Sequence, residues 1–265
     1  MKNFALGQYL PLNSWIHRLD PRIKIISMMF LMVSVFLADF KAYILLGTFL
    51  ILAVLSAKLT FKFIMKSMKP MMFMLIFLFI INMLVIRTGY VIFSIWNFTL
   101  YSDALVQTGF ILGRLVFMIM ITTLLTATTA PLDLTLGLED LLAPFRKIGV
   151  PSHVIAMMIS IVLRFIPTLI EDTQRIMQAQ ASRGVDLDEG SIKEKVQGII
   201  SMILPLFVSA FQRAEDLADA MEARGYYPGK VRTRYKQLEI KPIDIVALIG
   251  SMGLVLAVVL MKRFL

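Results

Sequence analysis

The sequence predicts an all-α integral membrane protein, with about five transmembrane helices and a cytoplasmic domain of amphipathic helices. Composition is the first reason. Hydrophobic residues fill 58% of the 265 positions and charged residues 17%, against roughly 45–50% and about 25% in soluble domains. The second is the set of five apolar runs, at about 25–37, 42–57, 71–86, 106–125 and 243–261, where a bilayer crossing needs roughly 20 such residues. The third is the stretch 127–242, helical by period but interrupted by charge. The chain therefore divides into an N-terminal membrane region with four spans (1–126), a cytoplasmic helical domain (127–242) and a C-terminal span (243–265).

Asp20-Pro21 opens the first span, because Asp is a good N-cap and Pro belongs at the first helical position. The first two runs are short, and helical flanks must complete them. Residues 1–21 are mixed and polar, without a short apolar core before a small-residue cleavage site, so no cleavable signal is expected.

Basic residues orient the spans. With the N-terminus inside, residues 1–24 hold Lys2, Arg18, Arg22 and Lys24. The next inside loop holds Lys58, Lys62, Lys66 and Lys69, and 127–242 holds fourteen more. Outside lie Lys41, Arg87, Lys262 and Arg263. Twenty-two against four places the N-terminus in the cytoplasm and the C-terminus outside, although a long insert weighs less under the positive-inside rule. A nucleic-acid binder could share the excess of 27 Lys and Arg over 18 Asp and Glu, but not these apolar runs. The absence of Cys excludes disulfides, thiolate catalysis and Cys-ligated metals.

Between the third and fourth runs, Tyr90, Phe93, Trp96, Phe98 and Tyr101 read as an aromatic belt at the outer interface. Asn97-Phe98-Thr99 matches a glycosylation sequon, a pattern too common to carry weight. In the fourth run Gly109 and Gly113 form a GxxxG, a packing feature by default. Arg114, costly in lipid, should face protein or snorkel outward.

The insert holds two long helices. From His153, Ile155, Ile159, Val162, Phe165, Ile166 and Leu169 keep one face apolar, and Glu171, Asp172, Gln174, Arg175 and Gln178 follow on the opposite face. The second helix, from about Ile192, carries Ile203, Phe207, Ala210, Ala214, Leu217 and Met221 at steps of four and three, one stripe with Gln212, Arg213, Asp216 and Asp219 opposite. Both are expected to be too polar to cross a bilayer well and too apolar to lie free in water. They should rest at the cytoplasmic membrane face and offer an apolar surface to something else.

Both helices end alike, in Gln180-Ala181-Ser182-Arg183-Gly184 and Met221-Glu222-Ala223-Arg224-Gly225. Pro167 precedes Arg175, and Pro205 precedes Arg213, by the same interval, a weak internal pseudo-repeat. One Arg-Gly ending would be structural, since Arg suits the helix dipole and Gly at C′ is the commonest stop. Two matching endings on helices with apolar stripes point to docking. An arginine forks onto carboxylates, and small neighbours such as Ala181, Ser182 and Ala223 allow close approach.

At these residues the chain resembles the transmembrane scaffold subunit of energy-coupling factor (ECF) transporters, the EcfT family, whose signature is two Ala-Arg-Gly-like tips on coupling helices. Here they read Ser182-Arg183-Gly184, with Ser where Ala is usual, and Ala223-Arg224-Gly225. The likeness extends to His17-Arg18-Leu19-Asp20-Pro21-Arg22, Arg114, Thr128-Thr129-Ala130-Pro131 and Arg164-Phe165-Ile166-Pro167. It implies a multi-pass subunit of a bacterial or archaeal cell membrane, without catalysis of its own. Its implied partners are two ABC-type ATPases (EcfA and EcfA′-like), which bind ATP and Mg, and a substrate-binding membrane S-component for a vitamin or metal. No cofactor is implied for this chain, and no nucleic acid. The implied ATPase-docking residues are Ala181, Ser182, Arg183 and Gly184 with Glu222, Ala223, Arg224 and Gly225. Ile203, Phe207, Ala210 and Ala214 would face the S-component or the crossing helix.

The rival reading is a membrane enzyme acting on lipid phosphates through Asp216 and Asp219, one turn apart. It needs several carboxylates converging on Mg²⁺, and this is the one pair on offer. No Gly-rich loop with Lys-Ser/Thr is present for ATP. Asp186, Asp188 and Glu189 read as a solvated loop rather than a metal site, and neither His17 nor His153 suggests catalysis.

Overall fold

A computed structural model describes residues 9–95, 98–148, 151–185, 191–227 and 238–264. Eight α-helices are present among them: α1 (Pro21–Leu37), α2 (Phe40–Ser56), α3 (Phe61–Val85), α4 (Ser102–Thr128), α5 (Pro131–Leu142), α6 (Ser152–Ser182), α7 (Ile192–Ala223) and α8 (Pro242–Phe264). Contacts divide the chain into two compact units, 1–153 with 238–265, and 154–237.

In the first unit α1 packs against α8, α4 and α5, and α3 against α4. Leu31 and Val35 of α1, Leu46 and Leu50 of α2, Ile121 of α4, and Leu254 and Val258 of α8 form its core. On α2 the buried residues Ala42, Leu46, Leu50 and Val54 recur every four positions, a single seam. The remaining faces present Phe36, Phe40, Ile51, Leu55 and Phe73 outward, as helices bathed in hydrocarbon do. The expected spans are all helical. At 17 residues each, α1 and α2 are about 25 Å long, short of the roughly 30 Å hydrocarbon core.

The aromatic segment after α3 is partly a hairpin. Strands β1 (Val91–Ile95) and β2 (Phe98–Tyr101) pair antiparallel, with a register irregularity between Val91 and Phe93. Asn97 of the sequon lies outside the described residues. The GxxxG splits in role. A Cβ on Gly113 would come within 2.9 Å of the Tyr43 ring, whereas one on Gly109 meets nothing within 4 Å.

In the second unit α6 and α7 run in opposite directions. Arg213 of α7 forms an ion pair with Asp172 of α6, and Gln180 donates through Nε2 to the Ser201 carbonyl at 3.1 Å. Ser191 caps α7 in a reciprocal capping box, its hydroxyl accepting from the Glu194 amide while the Glu194 carboxylate accepts from the Ser191 amide. That satisfies two orphan amides at the helix start.

One expectation needs correcting. By length and composition α6 and α7 are apolar enough to cross a membrane, as are α3, α4 and α8. The reason is that their charge is segregated along the axis as well as around it. In α6 the acidic residues follow Ile170, and in α7 residues 196–211 are free of charge.

Candidate functional site

The two helix tips share one backbone geometry. At the first, the Gly184 amide donates to the Ala181 carbonyl and the Val185 amide to the Gln180 carbonyl, both at 3.0 Å. At the second, the Gly225 amide donates to Glu222 at 2.8 Å and the Tyr226 amide to Met221 at 2.9 Å. These are paired Schellman closures, which need a left-handed residue at C′. Gly184 and Gly225 supply it, with φ of 82° and 74°. Each closure places its arginine at the C-cap, Arg183 after α6 and Arg224 after α7.

Ala181, Ser182, Arg183 and Gly184 are exposed, as are Glu222, Ala223, Arg224 and Gly225. Neither arginine pairs with a carboxylate among the described residues. Each guanidinium thus stands free on a rigid, small-residue end, beside orphan carbonyls that draw a cation. Arg224 lies at the far end of a 32-residue helix, about 48 Å from its start.

The α7 stripe divides. Ile203 and Phe207 are exposed, at 57% and 58%, and continue into Leu204, Val208 and Phe211. The Phe207 and Phe211 rings lie 4.6 Å apart. Ala210 is half-buried and Ala214 exposed. The open apolar face is therefore broader than the four-residue stripe and lies toward its N-terminal part. Asp216 and Asp219 are exposed. Among the described residues no three His, Asp or Glu gather as metal ligands. Asp186, Asp188 and Glu189 lie outside the described residues.

The pseudo-repeat holds at the tips and lapses behind them. Arg213 pairs with Asp172, whereas Arg175 is exposed. Arg114 faces protein, its guanidinium carbon 5.3 Å from the Phe36 ring centroid.

Sequence reasoning did not find the polar base of the first unit. Asp20, the N-cap of α1, accepts from the Arg22 amide at 2.8 Å and is held by both Nε and Nη2 of the Arg22 guanidinium, at 3.0 and 2.8 Å. Arg22 also reaches the Leu238 carbonyl at 3.0 Å and Asp140 of α5 at 3.4 Å. Asp244 of α8, 0% exposed, accepts from the amides of Asp20 at 2.8 Å and Lys241 at 2.6 Å. Buried Lys24 gives its three protons to the carbonyls of His17 and Thr128 and the Thr129 hydroxyl, at 2.9–3.1 Å. His153 Nδ1 lies 2.9 Å from buried Glu139. The visible signal was the density of charge around Asp20-Pro21-Arg22, which the positive-inside count absorbed.

His17 in this base is biased toward its neutral form. Burial is the main influence holding its pKa below the usual value, with Lys24 adding to it and the Leu10 hydrogen bond opposing. Its Nε2 lies 3.1 Å from the Leu10 carbonyl and its Nδ1 2.7 Å from the Ser14 hydroxyl. A carbonyl only accepts, so Nε2 carries the proton and Ser14 donates to Nδ1.

The chain has extensive relatives. The CbiQ family, described as cobalt transport protein, matches residues 12–235. The energy-coupling factor transporter transmembrane protein EcfT of Bacillus subtilis is 48% identical over 239 residues, covering 90% of each chain. That of Thermosediminibacter oceani is 42% identical over 265 residues, covering 100% of this chain and 99% of the relative. The Lactococcus lactis protein of the same name is 40% identical over 99% of both. With its apolar helices and arginine-tipped pair, the chain belongs to the EcfT family of energy-coupling factor transporter transmembrane proteins, a transporter subunit of the membrane.

Proposed function

We propose that this chain is the non-catalytic coupling subunit of an ECF-type importer. It connects two cytoplasmic ABC-type ATPases, which bind ATP and Mg, to an S-component that carries a vitamin or metal. The observation that carries this reading is the identity of the two tips. Each is a Schellman end with a free arginine at its C-cap and small residues beside it. Each arginine enters a groove on one ATPase and forks onto a carboxylate there. The open face around Ile203, Phe207, Ala210 and Ala214 receives the S-component or the crossing helix. The N-terminus and the tips lie in the cytoplasm, as the charge count favours.

The test is recovery of the ATPases with the tagged chain at matched membrane expression. Losing one arginine leaves its partner carboxylate unpaired, at a cost of about 2–5 kcal/mol, which the second site partly covers. Arg183→Ala or Arg224→Ala alone therefore retains part of the ATPase, and the double variant releases it. Full recovery with the double variant would sink the docking assignment.

A further inference from the structure

Between the starts of α1 and α8 and the ends of α2 and α4 lies a cleft of about 310 Å³. Ile23, Met28, Phe49, Ile121, Leu124 and Gly250 line it. Four polar residues also reach its wall, and each is already satisfied within the wall. Lys24 has its three acceptors. The Thr128 hydroxyl donates to the Leu124 carbonyl at 2.7 Å. The Ser251 hydroxyl donates to Leu248 at 2.8 Å and sits 3.2 Å from that of Ser27. Nothing is left to hold water, and a dry apolar cavity of even about 150 Å³ takes an apolar guest.

The mouth is different in character. Trp15, 45% exposed, stands at the edge of the cleft, where an interfacial Trp marks headgroup level. The Arg18 amide closes a turn onto the Trp15 carbonyl. The exposed Arg18 guanidinium is fixed by Nε and Nη2 on the Asn13 side chain, at 3.1 and 2.8 Å, which leaves Nη1 without a partner among the described residues. Lys58 adds a second exposed cation in the turn after α2. That turn packs Ala57 and Leu59 against Ile16 and Leu19. From the mouth the cleft follows α1 from Ile23 to Leu31, about 12 Å inward.

We infer that the cleft binds an anionic glycerophospholipid, one acyl chain lodged between α1, α2, α4 and α8 and the phosphate on Arg18. A cationic mouth over a dry apolar slot matches that amphiphile end to end.

The experiment reconstitutes the full chain in phosphatidylcholine nanodiscs. These carry a trace of phosphatidylglycerol, or of phosphatidylcholine, with a diazirine on one acyl chain, and photolabelled peptides are mapped. Label is expected on peptides covering 23–31, 121–128 and 246–251, with phosphatidylglycerol favoured about fivefold over phosphatidylcholine, the effect of one basic residue near a lipid surface. A Cβ at Gly250 meets nothing within 4 Å, so Gly250→Leu starts a side chain into the cleft wall without a backbone clash. It should abolish that label, as should Ala247→Leu. Arg18→Gln should remove the headgroup preference and leave the acyl labelling. Label spread evenly over all lipid-facing helices, label unchanged by both filling variants, or equal labelling by the two lipids in the native chain would each overturn the assignment.

Discussion

Arg183 and Arg224 are useful at the tips because of what precedes and follows them. The helix delivers each guanidinium at a fixed height, and the left-handed glycine turns the chain away from it. Arg→Lys at both tips should restore ATPase recovery only partly, because an ammonium lacks the two-pronged geometry. If the arginines served only the helix dipole, either change would cost about 0.3–1 kcal/mol and the ATPases would stay bound. His17 makes a separate prediction. Its folded pKa lies below the ordinary histidine value, so the unfolded chain takes up the proton first and stability falls as pH drops through about 6.5. Thermal unfolding in detergent from pH 7.5 to 5.5 should show this loss, and His17→Gln should flatten it. An equally steep slope in His17→Gln would assign the titration elsewhere. The tip residues were legible in the sequence because Arg-Gly after an apolar stripe is a local signal. The pairing of Lys24 with the Thr128 carbonyl, 104 residues away, has no such signal.

Helices α5 and α1 meet at backbone distance. A Cβ on Gly137 would lie 3.0 Å from the Pro21 side chain and 3.2 Å from the Arg22 nitrogen and the Pro21 carbonyl carbon. Gly→Ala in a free helix stabilises by about 1 kcal/mol. Here the overpacking should reverse the sign and cost about 1–3 kcal/mol, read as a lower melting temperature of the purified chain; a rise would show that α5 gives way freely. On α7 the expected outcome concerns assembly. If the open face receives another helix, Ala210→Glu buries a charge without a partner and uptake falls while membrane insertion stays normal. Normal uptake would mean that the face points to water. The start of α1 could be read from Asp20-Pro21 because a cap is chemistry within one turn. The β1–β2 hairpin could not, since an aromatic stretch reads equally as an interfacial belt and as a strand.

For the whole molecule the open question is orientation. The expected result is that cysteines at Lys41, Ser94 and Arg263 react with an impermeant thiol reagent from outside, and that those at Lys66 and Asp188 do not. The native chain has no Cys to confuse the reading, and labelling at Asp188 in intact cells would overturn the topology. Membrane class was legible because apolar runs report directly on the surrounding medium, whereas the short helix α5 was not foreseen. Which runs span was less so, because a helix can be apolar for lipid or for a protein partner, and composition alone does not separate the two. The hydrogen bond from the Asp20 amide to the Asp244 carboxylate joins positions 224 residues apart, and this bears on how the protein is made. At about 5–20 residues per second of synthesis, roughly 10–45 s separates the emergence of the two. During that interval the first helix waits at the translocon with its cap amide and the Arg22 contact to Leu238 unmade. Closure of so long a loop comes late and carries its full entropic cost. The last helix is therefore the element that completes the first, and until it arrives the Asp20 amide and the Arg22 guanidinium lack these partners.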